Sequence, residues 1–341
     1  MNQPQHASQL RLPRKTHTQK GQERRVGVEI ELSGLSYQEL IQVVSLFFSA
    51  PAREKARYEH LITTELGEFC IELDADPIKQ LELQGVDLPQ PLAFLSEKTG
   101  ELIDAAAEQI VPLEVICPPI ALSQLHTIES LCIQLRESGA LGSRHSLWYA
   151  FGLQLNPELP ELDAATILSY LRAFGGLYDW FKSRQQLDIS RKFTTYIDPY
   201  PGEYLDLIMA SDYQPDLEQL IADYLRFNPT RNRALDLMPL FLHLRPEQLR
   251  ASVADPRIKA RPTFHVRLPD CDIDNPRWHF AQVWNDWVQI EDLAANPKLL
   301  ADMCLAYQER HRFRVENLFH DWLKGSQEFL PHRSQTEVSA H

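Results

Sequence analysis

From Arg25 to Leu32 the chain alternates between apolar and polar residues. Val26, Val28, Ile30 and Leu32 are separated by Gly27, Glu29 and Glu31, the period of a strand with one buried face. The same period returns at Phe69, Ile71 and Leu73 against Cys70, Glu72 and Asp74, and at Leu113 and Val115 around Glu114. It appears again at Phe151, Leu153 and Leu155 against Gly152, Gln154 and Asn156, and at Phe264, Val266 and Leu268 against Thr263, His265 and Arg267. Helical periods lie between and after these strands. Ser36 and Glu39 form a capping-box pattern ahead of Leu40, Val44, Phe47 and Phe48. Further helices are expected at 123–138, closed by Gly139, at 163–182, at 215–226, and as a pair at 277–294 and 297–323, with Pro297 suited to a first turn. Trp278, Trp284 and Trp287 belong to the core of that pair. Strands and helices do not alternate in the order of a doubly wound fold. The pattern therefore predicts an α+β protein, with a mostly antiparallel sheet, an acidic polar face and helices on the apolar face.

Residues 1–23 and 325–341 carry no hydrophobic period, so a mobile basic head and a mobile tail are expected around a single domain over 24–324, whose C-terminal helices begin near 276.

The polar positions of the strands carry the candidate chemistry. Residues two apart on a strand share a face, which sets the Glu29 and Glu31 Cα atoms about 7 Å apart, a separation that can serve two neighbouring cations. Magnesium takes carboxylate oxygens, water and phosphate oxygens, while a carboxylate cluster without a cation suffers like-charge repulsion. Glu114 sits inside the apolar run Val111 to Ile116, where a lone charge needs a partner: a metal, or an arginine from a helix. Glu72 and Asp74 read equally well as surface acids.

Composition narrows the classes. The chain has 341 residues, 44% hydrophobic and 24% charged, enough for a large core, and its net charge of −13 argues against nucleic acid as a partner. The five cysteines are scattered, as expected of reduced and mostly buried thiols rather than a zinc site. Neither a membrane span nor an apolar leader is visible, which predicts a cytoplasmic protein. Phosphate-loop, dinucleotide, zincin and nucleophile-elbow motifs do not occur.

Together these segments resemble the putative amidoligase family, relatives of glutamate–cysteine ligase and glutamine synthetase. The resemblance rests on Gly27-Val28-Glu29-Ile30-Glu31, on Glu72 to Asp74, on Glu114-Val115-Ile116-Cys117-Pro118-Pro119, on Gly152-Leu153-Gln154-Leu155-Asn156, and on His265-Val266-Arg267. It implies a glutamine synthetase-like fold and an ATP- and Mg2+-dependent ligase that joins a small-molecule or peptide carboxylate to an amine through an acyl phosphate. Under it, Glu29, Glu31, Glu114, Gln154 and His265 hold two or more metal ions. Glu31 and Arg267 serve catalysis, Arg267 facing the transferred phosphoryl group. Gln154 stands where the family usually has a metal-binding histidine, and His265 where it has a glutamate. The alternative is therefore a catalytically weakened relative that binds a nucleotide or peptide, and a hydrolase or phosphotransferase on the same acids is a third reading. Lys192, Arg231 and Arg233 are candidate cofactor-binding cations, with Arg231 and Arg233 opening a helix near Leu235, or else surface charges or partners of Asp236. Such families also suggest a glutamine-amidotransferase-like hydrolase as partner.

Overall fold

A computed structural model describes residues 9–56, 58–73, 112–143, 152–184, 198–312 and 319–332. Its centre is β1 (Arg25–Leu32), in which Val26, Val28, Ile30 and Leu32 are all fully buried. Antiparallel neighbours flank it on both sides: β5 (Leu113–Ile116) on one and β7 (Leu153–Pro157) on the other. Beyond β5 lie β4 (Gly67–Leu73), β3 (Glu59–Thr64) and β2 (Ala52–Ala56), and beyond β7 lie β9 (His265–Val266) and β8 (Leu235–Asp236). The short β6 (Ile120–Ala121) pairs with the start of β1, completing a nine-stranded sheet.

Ten α-helices accompany the sheet among the described residues. Helix α1 (Tyr37–Phe48) starts at Ser36, whose reciprocal bonds with Glu39 form the expected capping box, and buries Leu40, Ile41 and Val44. It meets the apolar face through Phe48, whose ring lies 4.4 Å from that of Phe69. Helix α2 (His126–Glu137) packs against α1 through Ile128, Leu131 and Leu135. The long α3 (Ala164–Arg184) and α8 (Phe280–Ala294) cover the other half, where Tyr170, Phe264 and Trp287 share an aromatic cluster with ring centroids 5.1 to 6.3 Å apart. Full burial of each such ring contributes roughly 1.5–3 kcal/mol. Trp278, Trp284 and Trp287 are buried as expected.

The remaining helices are α4 (Gly202–Met209), α5 (Leu217–Phe227), α6 (Met238–Leu244), α7 (Pro246–Ser252), α9 (Pro297–Arg312) and α10 (Phe319–Ser326). The pair expected at 277–294 and 297–323 is thus three helices in the described residues. No described helix is long and apolar enough to cross a membrane.

Three features differ from the sequence reading. The segment at Leu235 is the strand β8, with α6 starting only at Met238, so Arg231 and Arg233 lead into a strand rather than a helix. Strands β2 and β3 carry no alternating pattern: β2 is Ala-Arg-Glu-Lys-Ala on the sheet edge, and in β3 the consecutive Leu61 and Ile62 are both buried. Residues 9–23 and 325–332, assigned above to mobile ends, are hydrogen-bonded to α8. Arg11 N–H donates to Asn285 (2.8 Å), Arg14 N–H donates to Asp292 (2.7 Å), and His332 Nε2 lies 2.6 Å from Asp292. These are backbone and buried-carboxylate contacts, which leave no hydrophobic period in a sequence.

Arg24, at the head of β1, is fully buried and grips Glu291 of α8 with both terminal nitrogens (2.6 and 2.8 Å). Trp287 Nε1 donates to the same carboxylate at 2.7 Å. This ion pair fixes the start of the strand that carries Glu29 and Glu31.

Candidate functional site

Strand alternation puts Gly27, Glu29 and Glu31 on the face of β1 opposite the core. The register then builds a row of carboxylates across four strands. Glu31 pairs with Glu114 on β5, Glu114 with Glu72 on β4, and Glu72 with Glu59 on β3. Directly opposed antiparallel residues stand about 4.5–5.5 Å apart at Cβ, and like charges in that position repel. Glu31 and Glu114 are also buried, 7% and 6% exposed, which strengthens the repulsion.

Each acid has a distinct setting. Gly152 N–H and Gln154 Nε2 donate to the two oxygens of Glu31 at 2.7 and 2.6 Å. A Cβ at Gly152 would sit 3.4 Å from that carboxylate, so glycine leaves room for the approach. Burial, and after it the Glu59 charge, holds the Glu72 carboxyl above its usual range, with Lys259 opposing. Cys70 lies between Glu59 and Glu72, its thiol 3.8 Å from each and pushed up to about 12 by burial and the two carboxylates. Among the described residues, Glu59, Cys70 and Glu72 form the group whose ligand atoms already lie within 4.8 Å of one another. Lys55 neutralises Glu59 at 2.5 Å and the thiol is protonated, so the metal-binding capacity of the row rests on its carboxylates.

The other half of the face has the opposite character. Glu29 pairs in register with Gln154, and its Oε1 accepts from Asn156 Nδ2 (3.0 Å) and Arg261 Nη1 (3.2 Å). Gly27 lies opposite Asn156, where a Cβ would meet the asparagine Cβ at 3.3 Å. Gln154 uses both ends of its amide: Nε2 on Glu31, and Oε1 on His265 Nε2 at 2.5 Å. That bond gives His265 the Nε2–H tautomer. Its Nδ1 faces Asp236 Oδ2 at 3.8 Å, and the Arg267 guanidinium lies 3.6 Å from the same oxygen. Burial, then the charges of Arg267, Arg261 and Arg231, keeps His265 neutral, well below the usual imidazole value. Burial likewise raises the Asp236 carboxyl, with Arg267, the Met238 N–H and Arg231 pulling against it. Asp236 Oδ2 and Arg267 Nε are buried without a hydrogen-bond partner.

The structure therefore brings Glu29, Glu31, Glu114, Gln154, His265 and Arg267 to one face, with Arg231 at its positive side. Arg233 turns elsewhere, its guanidinium bonding the Pro199 and Phe227 carbonyls at 2.7 and 3.3 Å. Lys192 and Asp74 lie outside the described residues. Three participants were not singled out from sequence as site residues: Glu59 on the irregular β3, Asp236, named only as a partner for Arg231 or Arg233, and Arg261. Asp236 could have been, as a lone acid in the apolar run Ala234 to Leu240, the same signal that marked Glu114. Arg261 gives no such signal, since it comes from the loop before β9. A cleft of about 520 Å³, lined by Gln22, Glu23, Arg25, Pro119, Ala121 and Glu158, opens at the Arg25 end of the sheet. Its acids are committed locally, Glu23 to Ser123 and Glu158 to the Arg25 N–H, so it offers weaker chemistry than the charged face.

The family model described as putative amidoligase enzyme matches residues 22–289, more than half of the chain and all of the face just described. No curated protein and no solved structure matches the chain.

Proposed function

Because the chain belongs to the putative amidoligase family, we propose that it is an ATP- and magnesium-dependent carboxylate–amine ligase of glutamine synthetase-like fold. The observation that carries this reading is the division of charge on one sheet face. Carboxylates from β3, β4, β5 and β1 stand in a row beside the guanidinium groups of Arg231, Arg261 and Arg267. A metal–polyphosphate complex has the same polarity, a divalent cation attached to phosphate oxygens.

The carboxylates of Glu31, Glu114 and Glu72 fit a hard cation in donor type and in strand register. Magnesium bound there supplies charge neutralisation for the nucleotide phosphates. The residues around Glu29 fit a second magnesium ion poorly, since Gln154 and His265 bond one another, Asn156 is held between Glu29 and Arg261, and Arg261 already lies on the carboxylate. The chain's own part is positioning and electrostatics. Arg267 and Arg231 orient the γ-phosphoryl group through their planar donor forks. A substrate carboxylate oxygen then bonds to the γ-phosphorus as the bond to ADP breaks. The amine nitrogen next bonds to the acyl carbon, loses a proton, and the carbon–oxygen bond to phosphate breaks, leaving amide and phosphate. The neutral His265, held by Gln154, keeps a polar but uncharged floor between the acids and the arginines.

Hydroxylamine serves as a general amine for testing this. With ATP, Mg2+ and a panel of amino-acid and peptide carboxylates, wild type should form a hydroxamate together with ADP and phosphate. Glu31→Gln and Arg267→Ala should form neither. A second reading, a nucleotide-binding relative without turnover, is favoured by the closed network of Gln154, His265 and Glu31. It predicts ATP·Mg2+ binding by thermal shift with no ADP release on any carboxylate, whereas absence of both binding and turnover refutes the ligase.

A further inference from the structure

We propose that the Arg261 guanidinium takes the place of a second divalent cation, so that this chain works with one metal ion on the Glu31–Glu114–Glu72 side and a built-in cation on the Glu29 side. The inference rests on the ligase reading above and specifies its site. Glu29 is the acid of β1 that meets an arginine, and its Oε1 accepts from both Arg261 Nη1 (3.2 Å) and Asn156 Nδ2 (3.0 Å). Arg261 Nη1 also reaches Asn156 Oδ1 at 3.3 Å, so carboxylate, amide and guanidinium form a closed triangle.

Two carboxylate oxygens flank His265, Glu29 Oε2 at 3.8 Å from Nε2 and Asp236 Oδ2 at 3.8 Å from Nδ1, so the ring stands between them and they do not converge with it on one ion. Gln154 is engaged at both ends, and the His265 Nε2 that would have to coordinate an ion is donating a proton to it. The ligand set left for a second ion is one carboxylate already paired with a cation, two amides, the imidazole, and the Asp236 carboxylate on the far side of that ring, itself 3.6 Å from the Arg267 guanidinium. The charge balance agrees. Arg231, Arg261 and Arg267 all act on His265 beside the carboxylates of Glu29 and Asp236, so a divalent ion added here would join three fixed cations. Across β1, by contrast, four glutamates stand in a row.

Arg261 is also placed to touch substrate. Its backbone N–H is tied to the Pro239 carbonyl at 3.1 Å, while its side chain stays 38% exposed. Nη1 holds Glu29 and Asn156, leaving the outer edge of the fork to receive phosphate oxygens, as a metal ion would from the same position. A guanidinium cannot be lost to chelators and does not exchange, so the Glu29 side would be permanently charged.

Counting bound Mn2+ by electron paramagnetic resonance, on the full chain with ADP or a non-hydrolysable ATP analogue, tests this. We expect one Mn2+ per wild-type chain. Arg261→Ala should keep that ion at similar affinity while binding the nucleotide about tenfold more weakly or worse, as loss of a charge-assisted bond dictates, and Arg261→Lys should recover part of the loss. Two Mn2+ per wild-type chain, falling to one in Glu29→Gln, would overturn the proposal and leave the ligase standing. An unchanged nucleotide affinity in Arg261→Ala would also overturn it. No Mn2+ and no nucleotide bound by wild type would overturn both.

Discussion

Replacing Glu72 with glutamine should make the metal-free protein more stable and its metal binding weaker, opposite signs from one substitution. Glu72 stands in register between Glu59 and Glu114, and its ligand oxygen lies within 4.8 Å of one on Glu59. At that distance two unit charges repel by about 3.5 kcal/mol at an effective dielectric constant of 20. Lys55 on Glu59, Lys259 and partial exposure screen much of this, which leaves about 1 kcal/mol of net relief. For a chain of this size that is roughly a 1–2 °C rise in Tm. The pH dependence fixes the cause. The folded state holds the Glu72 carboxyl above its usual range, so it binds more protons than the unfolded chain just above pH 4, and stability falls as pH climbs through that window. Wild type and Glu72→Gln should therefore unfold alike at pH 4 and differ at pH 7.5. In isothermal titration the variant should bind Mg2+ about tenfold more weakly or worse, since losing groups that merely orient a metal ligand already costs that much. A variant less stable than wild type at pH 7.5 without divalent ions, or one with unchanged Mg2+ affinity, would refute the assignment of Glu72 to the acidic row.

Other parts of the molecule give independent tests. Arg24→Met strands the buried Glu291 carboxylate and should destabilise the fold by about 3–5 kcal/mol in urea unfolding; a change under about 1 kcal/mol, the scale of an exposed pair, would show the pair to be solvated. His265 is neutral in the folded state, so wild type should lose stability as pH drops below the unfolded imidazole value of about 6.5. His265→Asn should flatten that limb of the urea midpoint between pH 5 and 7, and identical slopes would contradict the buried neutral ring. Gly27→Val pushes branched methyl groups into Asn156, whose Cβ would be 3.3 Å from an added Cβ. It should cost about 1–3 kcal/mol by overpacking, measured as a lowered denaturant midpoint.

How much of this could be read from the chain depends on which physical signal each residue leaves. Strand β1 was legible to the residue because its period is strict and both neighbours pair along it. Four further strands of the sheet, β4, β5, β7 and β9, were recognisable for the same reason, although β9 came out shorter than its alternation because its partner β8 has only two residues. The edge strand β2 and its neighbour β3 left no trace: an edge strand need not bury a face, and in β3 Leu61 beside Ile62 breaks the period. The ends near α8 were invisible because backbone donors and buried carboxylates hold them. The candidate site divides in the same way. Its acids sit on strands, and all but Glu59 and Asp236 were recognised with the face they share, whereas Arg261 comes from a loop and reaches Glu29 across 232 positions of chain. An acidic sheet face read from sequence alone therefore shows most of its carboxylates, while the loop cations that lie on some of them stay silent. Glu29 and Glu31 are indistinguishable in the sequence, two residues apart on one strand. In the fold Glu31 stands opposite a row of glutamates and Glu29 on a guanidinium, and that difference is the ground for proposing the ion at Glu31.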